Sequence, residues 1–149
     1  MRNDSALPDE LVLREFQLPK DYPQVITLWE HTGPGIHVRR SDREDEIAKK
    51  LQRDPDLFLV AEVGGRIIGS VMGGFDGRRG MVYHLAVEVP FRKKGVGTAL
   101  MAELEKRLHQ KGCIRSYLLV TRDNLDAVTF YESQKWELMD LLIFGKDLE

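Results

Sequence analysis

Val89-Pro-Phe-Arg-Lys-Lys-Gly-Val-Gly-Thr-Ala-Leu100 lies between a strand-like run, Met81 to Val87, and an amphipathic helix. Pro90 stops the strand, because proline brings no N–H to a ladder. Arg92, Lys93 and Lys94 follow as three cations, and Gly95 and Gly97 let the backbone turn tightly into the helix. A helix start of this kind presents unpaired amide N–H groups and the positive end of the helix dipole. With the cations beside it, the stretch reads as a phosphate site.

Working outward, the helix from about Gly97 to Gln110 puts Leu100, Leu104 and Leu108 on one stripe, and Lys111-Gly112 ends it. Upstream, Leu57 to Val63 and Arg66 to Met72 are apolar runs joined by Gly64-Gly65, a hairpin signal. Leu11 to Phe16 alternates as a first strand after a lead-in, 1–9, expected to be flexible. Asp21 is the expected N-cap of a helix carrying Val25, Leu28 and Trp29, which Thr32-Gly-Pro-Gly35 breaks. Ser41 and Glu44 fit a capping box for a second helix with Ile47 and Leu51 inward. Downstream come a strand, Ser116 to Thr121, a short helix, Asn124 to Ser133, and last strand material over Trp136 to Lys146.

The order βααβββαβαβ predicts an α/β (α+β layered) domain with one central, mixed, mostly antiparallel sheet and helices on both faces. The strand–loop–helix–strand piece predicts one parallel crossover. A chain of 149 residues reads as a single domain, 1–149. Its hydrophobic content of 42%, charged content of 31% and net charge of -2 are those of a soluble protein with no dominant basic face. Nucleic acid and membrane are therefore not expected partners. Cys113 is the single cysteine, so no internal disulfide or cysteine metal cluster is expected. Without an apolar leader or membrane span, the cytoplasm is the expected location.

Three phosphate-loop designs compete for the central stretch. A nucleotide-hydrolase loop needs two glycines separated by four residues and then Lys-Ser/Thr, which is absent. A dinucleotide fingerprint needs three glycines and an acidic residue about twenty positions on, and only Gly95 and Gly97 are available. Arg92-Lys-Lys-Gly-Val-Gly97 instead resembles the Arg/Gln-x-x-Gly-x-Gly/Ala pattern of the Gcn5-related N-acetyltransferases, the GNAT family. Leu85-Ala-Val87 before it and Asn124-Leu-Asp-Ala-Val-Thr-Phe-Tyr131 after it resemble the same family's strand and second signature. Phe58 to Glu62 and Gly69 to Gly77 look closest to small bacterial members of the YpeA type.

The resemblance implies acetyl-coenzyme A as cosubstrate and no metal. Its pyrophosphate is expected against the amides of Lys94, Gly95, Val96, Gly97 and Thr98, supplemented by Arg92 and Lys93. The pantetheine arm is expected to pair with the strand at Leu85 and Val87. An N–H of Leu85 or Ala86 would face the carbonyl oxygen of the transferred group. Tyr131 is the expected acid for the departing thiolate, and Asn124 bonds the cofactor or caps its own helix. The acceptor is a primary amine, on a small molecule or on a protein or peptide. Monomer and homodimer are both open. A non-catalytic acetyl-coenzyme A sensor is the alternative reading.

The base is open. Met81 stands where many family members carry Glu or His, and it cannot titrate. Tyr83 is the preferred base, with His84 read as a structural or solvent-facing histidine and Glu88 as a further candidate. Strand alternation is expected to send Tyr83 and His84 to opposite faces. Lys135-Trp136 replaces the usual Gly-Phe ending. Trp29 and Phe75 line the acceptor site or simply pack, and Arg78 and Arg79 belong to a solvated turn. Cys113 reads as an inert thiol.

Overall fold

A computed structural model of the chain describes residues 6–33 and 36–149. Its elements are β1 (Val12–Glu15), α1 (Tyr22–Glu30), α2 (Glu44–Arg53), β2 (Phe58–Val63), β3 (Arg66–Phe75), β4 (Gly80–Val87), α3 (Val96–Gln110), β5 (Ser116–Leu118) and α4 (Leu125–Ser133). Short 3-10 turns occupy Arg40–Asp42 and Val89–Phe91. One compact unit ends at Leu119, and a second runs from Val120 to Glu149.

The first unit holds a five-stranded sheet in the order β1-β2-β3-β4-β5. The first three pairings are antiparallel, and β4 pairs β5 in parallel through the α3 crossover, as expected. The two hairpin glycines both have positive φ, 57° at Gly64 and 79° at Gly65, which suits a tight turn between twisted strands.

Helices cover both faces. Adjacent residues of a strand point to opposite sides, and on β3 a Cβ at Gly73 would meet Leu104 of α3, while one at Gly74 would meet Lys50 of α2. The near-continuous apolar runs of β2 and β3 follow from this double covering. On the α1 and α2 side, Phe58 stacks on Phe16 with ring centroids 4.1 Å apart and on Trp29 at 5.9 Å. Trp29 donates from Nε1 to Ser70 Oγ at 2.9 Å, so its one polar atom is satisfied while the ring is buried. Val96, Leu100, Met101 and Leu104 fill the other side. Burying each of these large side chains contributes about 1.5–3 kcal/mol.

Asp21 stands at the N-cap of α1, as expected, but several other local details differ from the sequence expectation for physical reasons. Asp21 makes no cap hydrogen bond; its buried carboxylate takes both arms of Arg14, at 2.7 and 2.9 Å, and the Gln17 N–H at 2.8 Å. Ser41 does not cap the second helix. A 3-10 turn precedes α2 instead, and it is Asp42 that accepts the Arg39 N–H at 2.9 Å. The break expected over Thr32-Gly-Pro-Gly35 falls partly outside the described residues, as does much of the lead-in.

β5 ends at Leu118, three residues short of the expected Thr121. In the second unit, α4 starts as expected, with Asn124 accepting the Ala127 N–H at 3.3 Å. Residues 136–149 form no strand, and Leu138, Leu141, Leu142, Ile143 and Phe144 are exposed. The expected closing β element is therefore absent among the described residues. An apolar run fits a strand by pattern, but without a ladder partner its backbone gains no strand pairing.

Candidate active site

β4 runs straight into the loop that opens α3, and its regularity fails just before that loop. Ser70 pairs Ala86 and Met72 pairs Tyr83, so two steps on β3 oppose three on β4. The extra residue makes a β-bulge at His84-Leu85, with His84 held at φ 47°. β5 pairs only Gly80, Val82 and the Met81 between them, so its ladder stops short of Tyr83 to Val87. The segment expected to pair with an extended ligand thus has a kinked backbone and no β5 partner.

The loop read in the sequence as a phosphate site follows. Val89–Phe91 forms a 3-10 turn, Lys93 has φ 60°, and Gly95 has φ 86° as the residue before α3. Ala99 N–H returns to the Gly95 carbonyl at 2.9 Å, which leaves the amides of the first helical turn outside that ladder. A left-handed residue here suits glycine, the one residue without a Cβ penalty. Lys93 and Thr98 are exposed, Val96 is buried against the core, and Gly97 lies half-buried between them. This backbone, with lysines at its rim, suits a pyrophosphate.

Arg92 is committed elsewhere. Its Nε donates to the Val87 carbonyl at 2.9 Å, and its Nη2 donates to the Thr32 carbonyl. The guanidinium therefore ties the end of β4 to the segment after α1.

Tyr83 and His84 do not lie on opposite faces. Tyr83 Cε2 lies 3.6 Å from where a Gly74 Cβ would be, beside Lys50 Nζ and Asp54 Oδ2 on the α2 side. His84 packs its ring against Trp29 of α1, centroids 4.5 Å apart, and its Nε2 is 3.0 Å from Asp42 Oδ1. The bulge removes one step of alternation, so both side chains reach the α1–α2 side. Burial pushes the Tyr83 phenol up, and the Asp54 carboxylate adds to that. Glu88 is held by Arg66 through two contacts of 2.9 and 2.8 Å. Phe75 ends β3, with its N–H and carbonyl on Asp54 and Arg53. Asp76 accepts the N–H groups of Arg78 and Arg79, which makes their turn a structural one.

Sequence reasoning missed Asp42. Its relevance comes from a contact 42 positions along the chain, and the local pattern pointed to Ser41. A buried aspartate between exposed polar neighbours carries no signal in one sequence.

In the second unit, Tyr131 lies within α4, with ring contacts to Phe130 at 5.2 Å and Trp136 at 6.3 Å. Burial pushes its phenol up to about 12. Asn124 acts as the helix cap, the second of its two expected roles.

The family model described as the Acetyltransferase (GNAT) family matches residues 22–136. The chain belongs to the GNAT acetyltransferase family. A protein named as an acetyltransferase from Pectobacterium atrosepticum is 46% identical over 128 residues, 86% of this chain and 89% of that one. Among solved structures, Ard1 from Thermoplasma volcanium is 24% identical, with a TM-score of 0.76 over 87% of this chain and 84% of that one. The PaiA N-acetyltransferase from Thermoplasma acidophilum, solved in complex with coenzyme A, is 21% identical, with a TM-score of 0.76 over 88% and 92%. At these identities the structural likeness is one of fold. The GNAT match spans both signatures read in the sequence, the loop at Arg92–Gly97 and the helix at Asn124–Tyr131. Among the described residues, no helix is long and apolar enough to cross a membrane.

Proposed function

We propose that this GNAT acetyltransferase moves the acetyl group of acetyl-coenzyme A to a primary amine by direct attack, without a covalent enzyme intermediate. The observation that carries this reading is the run from a bulged strand end without a β5 partner into a left-handed Gly95 and a helix start. A kinked edge offers backbone to an extended amide-bearing arm, and the helix start offers amides and dipole to a pyrophosphate. When bound, acetyl-coenzyme A supplies an activated thioester carbonyl.

The amides of Lys94 to Thr98 hold the pyrophosphate, with Lys93 at the rim. Leu85 and Val87 pair the arm, and the N–H of Leu85 or Ala86 donates to the carbonyl oxygen as charge develops there. The resemblance gives Tyr131 the departing thiolate. A phenol raised to about 12 stays protonated at neutral pH. Full transfer to a thiolate, whose thiol titrates at about 8.5, is uphill by roughly 5 kcal/mol. Its role is thus to share a hydrogen bond as the C–S bond breaks. Arg92 serves as the clamp that holds β4 in place.

The test pairs calorimetry with a thiol-release assay. Acetyl-coenzyme A is expected to bind, and thiol is expected to appear only when a primary amine from a panel of small amines and peptides is present. Binding without release above background favours the sensor reading, to which Met81 lends weight. No binding at all overturns both.

A further inference from the structure

An amine must lose a proton during acyl transfer, and the bulge of β4 holds an imidazole in a built environment. His84 sits at φ 47°, a left-handed conformation that few non-glycine residues adopt. Its ring lies against Trp29, which is fully buried, and its Nε2 is 3.0 Å from Asp42 Oδ1. Asp42 is itself fixed from three sides. It is 4% exposed, its Oδ2 accepts the Arg39 N–H at 2.9 Å, and its carbonyl accepts the Tyr22 hydroxyl at 2.8 Å.

Burial by itself would push the Asp42 carboxyl up. The hydrogen bonds from His84 and from the Arg39 N–H outweigh that and hold it below the usual carboxylate range. An ionised carboxylate can only accept, so Nε2 is the nitrogen that carries a hydrogen in this contact, and in the neutral ring the lone pair then sits on Nδ1. Among the described residues Nδ1 has no hydrogen-bond partner, and the His84 side chain is 22% exposed. The basic nitrogen is therefore on the side of the ring nearest the main chain, one residue before Leu85. The other candidates are weaker. Met81 cannot titrate, the Tyr83 phenol is raised and stays protonated, and Glu88 is held by Arg66.

We propose that His84 takes the proton from the acceptor amine and that Asp42 is the positioning residue that sets its tautomer. This rests on the acetyltransferase reading above. In the step, the amine nitrogen attacks the thioester carbonyl carbon, and the C–N bond forms as the carbonyl π pair moves to oxygen. The N–H proton goes to His84 Nδ1. The pair on oxygen then returns, the C–S bond breaks, and sulfur leaves with that bonding pair as coenzyme A thiolate. The proton on His84 passes to solvent, which restores the base.

The experiment uses the full chain, with acetyl-coenzyme A at saturation and the best primary amine from the panel. His84→Gln keeps a donor for Asp42 but cannot act as a base, and it is expected to lower kcat by about 10²–10⁴-fold while acetyl-coenzyme A binding in calorimetry stays near that of the parent. His84→Gly suits the left-handed backbone and opens a hole, so added imidazole is expected to restore turnover. Asp42→Asn, close in shape, is expected to lower kcat by about 10-fold or more with the amine KM little changed. A purely structural histidine would give no imidazole rescue. Retained kcat in His84→Gln, or no rescue of a folded His84→Gly, overturns the proposal and leaves the acetyltransferase reading intact. A parent protein that releases no thiol overturns that reading itself, and this proposal with it.

Discussion

Arg92 Nε donates to the carbonyl of Val87 at 2.9 Å, so the first cation of the loop closes back on the strand that leads into it. Its second contact, to the Thr32 carbonyl, spans 60 positions of chain. Arg92→Ala frees both carbonyls to water and unpins the end of β4. The expected loss of stability is about 1 kcal/mol, because the side chain is exposed. Acetyl-coenzyme A affinity is expected to fall as well. Lys93→Ala is expected to weaken binding without the stability loss. Parallel denaturation and calorimetry on the two variants separate clamp from ligand, and unchanged stability in Arg92→Ala would remove the clamp.

Gly73 lets α3 approach the sheet. A Cβ there would lie 2.6 Å from Leu104 Cδ1, and Leu104 is fully buried between α3 and β3. Gly73→Ala must shift a packed side chain, which costs about 1–3 kcal/mol. Urea unfolding reads this directly. A cost below about 0.5 kcal/mol would mean the helix can move away freely.

The Arg14–Asp21 pair gives stability a defined pH dependence. Burial pushes the Asp21 carboxyl up, but the two arms of Arg14 and the Gln17 N–H overcome this and hold it below the usual range. A depressed folded value adds stability that is fully present above the unfolded value, about 3.9, and is lost as pH falls through the depressed one. Stability is therefore expected to drop steeply below about pH 4. Asp21→Asn should cost about 2–4 kcal/mol at neutral pH and flatten that acid slope. Asp42, depressed for the parallel reason, keeps part of it. An unchanged slope in the variant would assign the acid lability to other carboxylates.

Tyr131 has a phenol raised to about 12 by burial. Tyr131→Phe removes the hydroxyl and keeps the ring contacts to Phe130 and Trp136. In single-turnover measurements the chemical step is expected to slow by about 10²-fold, with acetyl-coenzyme A binding preserved. Equal losses in both would make the residue a binding group.

What could be read from the sequence was local. The hairpin at Gly64-Gly65, the helix opened by Gly95 and closed by Gly112, and the Asn124 cap each depend on residues a few positions apart, so turn and cap chemistry fixes them. The two GNAT signatures are legible for the same reason. The tertiary structure alone decided the rest. Tyr83 and His84 share a side because a bulge is a mismatch between two strands, invisible in the alternation of one. Asp42 rather than Ser41 matters because its partner lies 42 residues away. Arg92 clamps because two carbonyls, at Val87 and Thr32, come within reach only when the sheet is assembled. Leu138 to Phe144 has the apolar pattern of a strand, yet pairing is a property of two segments, and one segment's pattern cannot supply its partner.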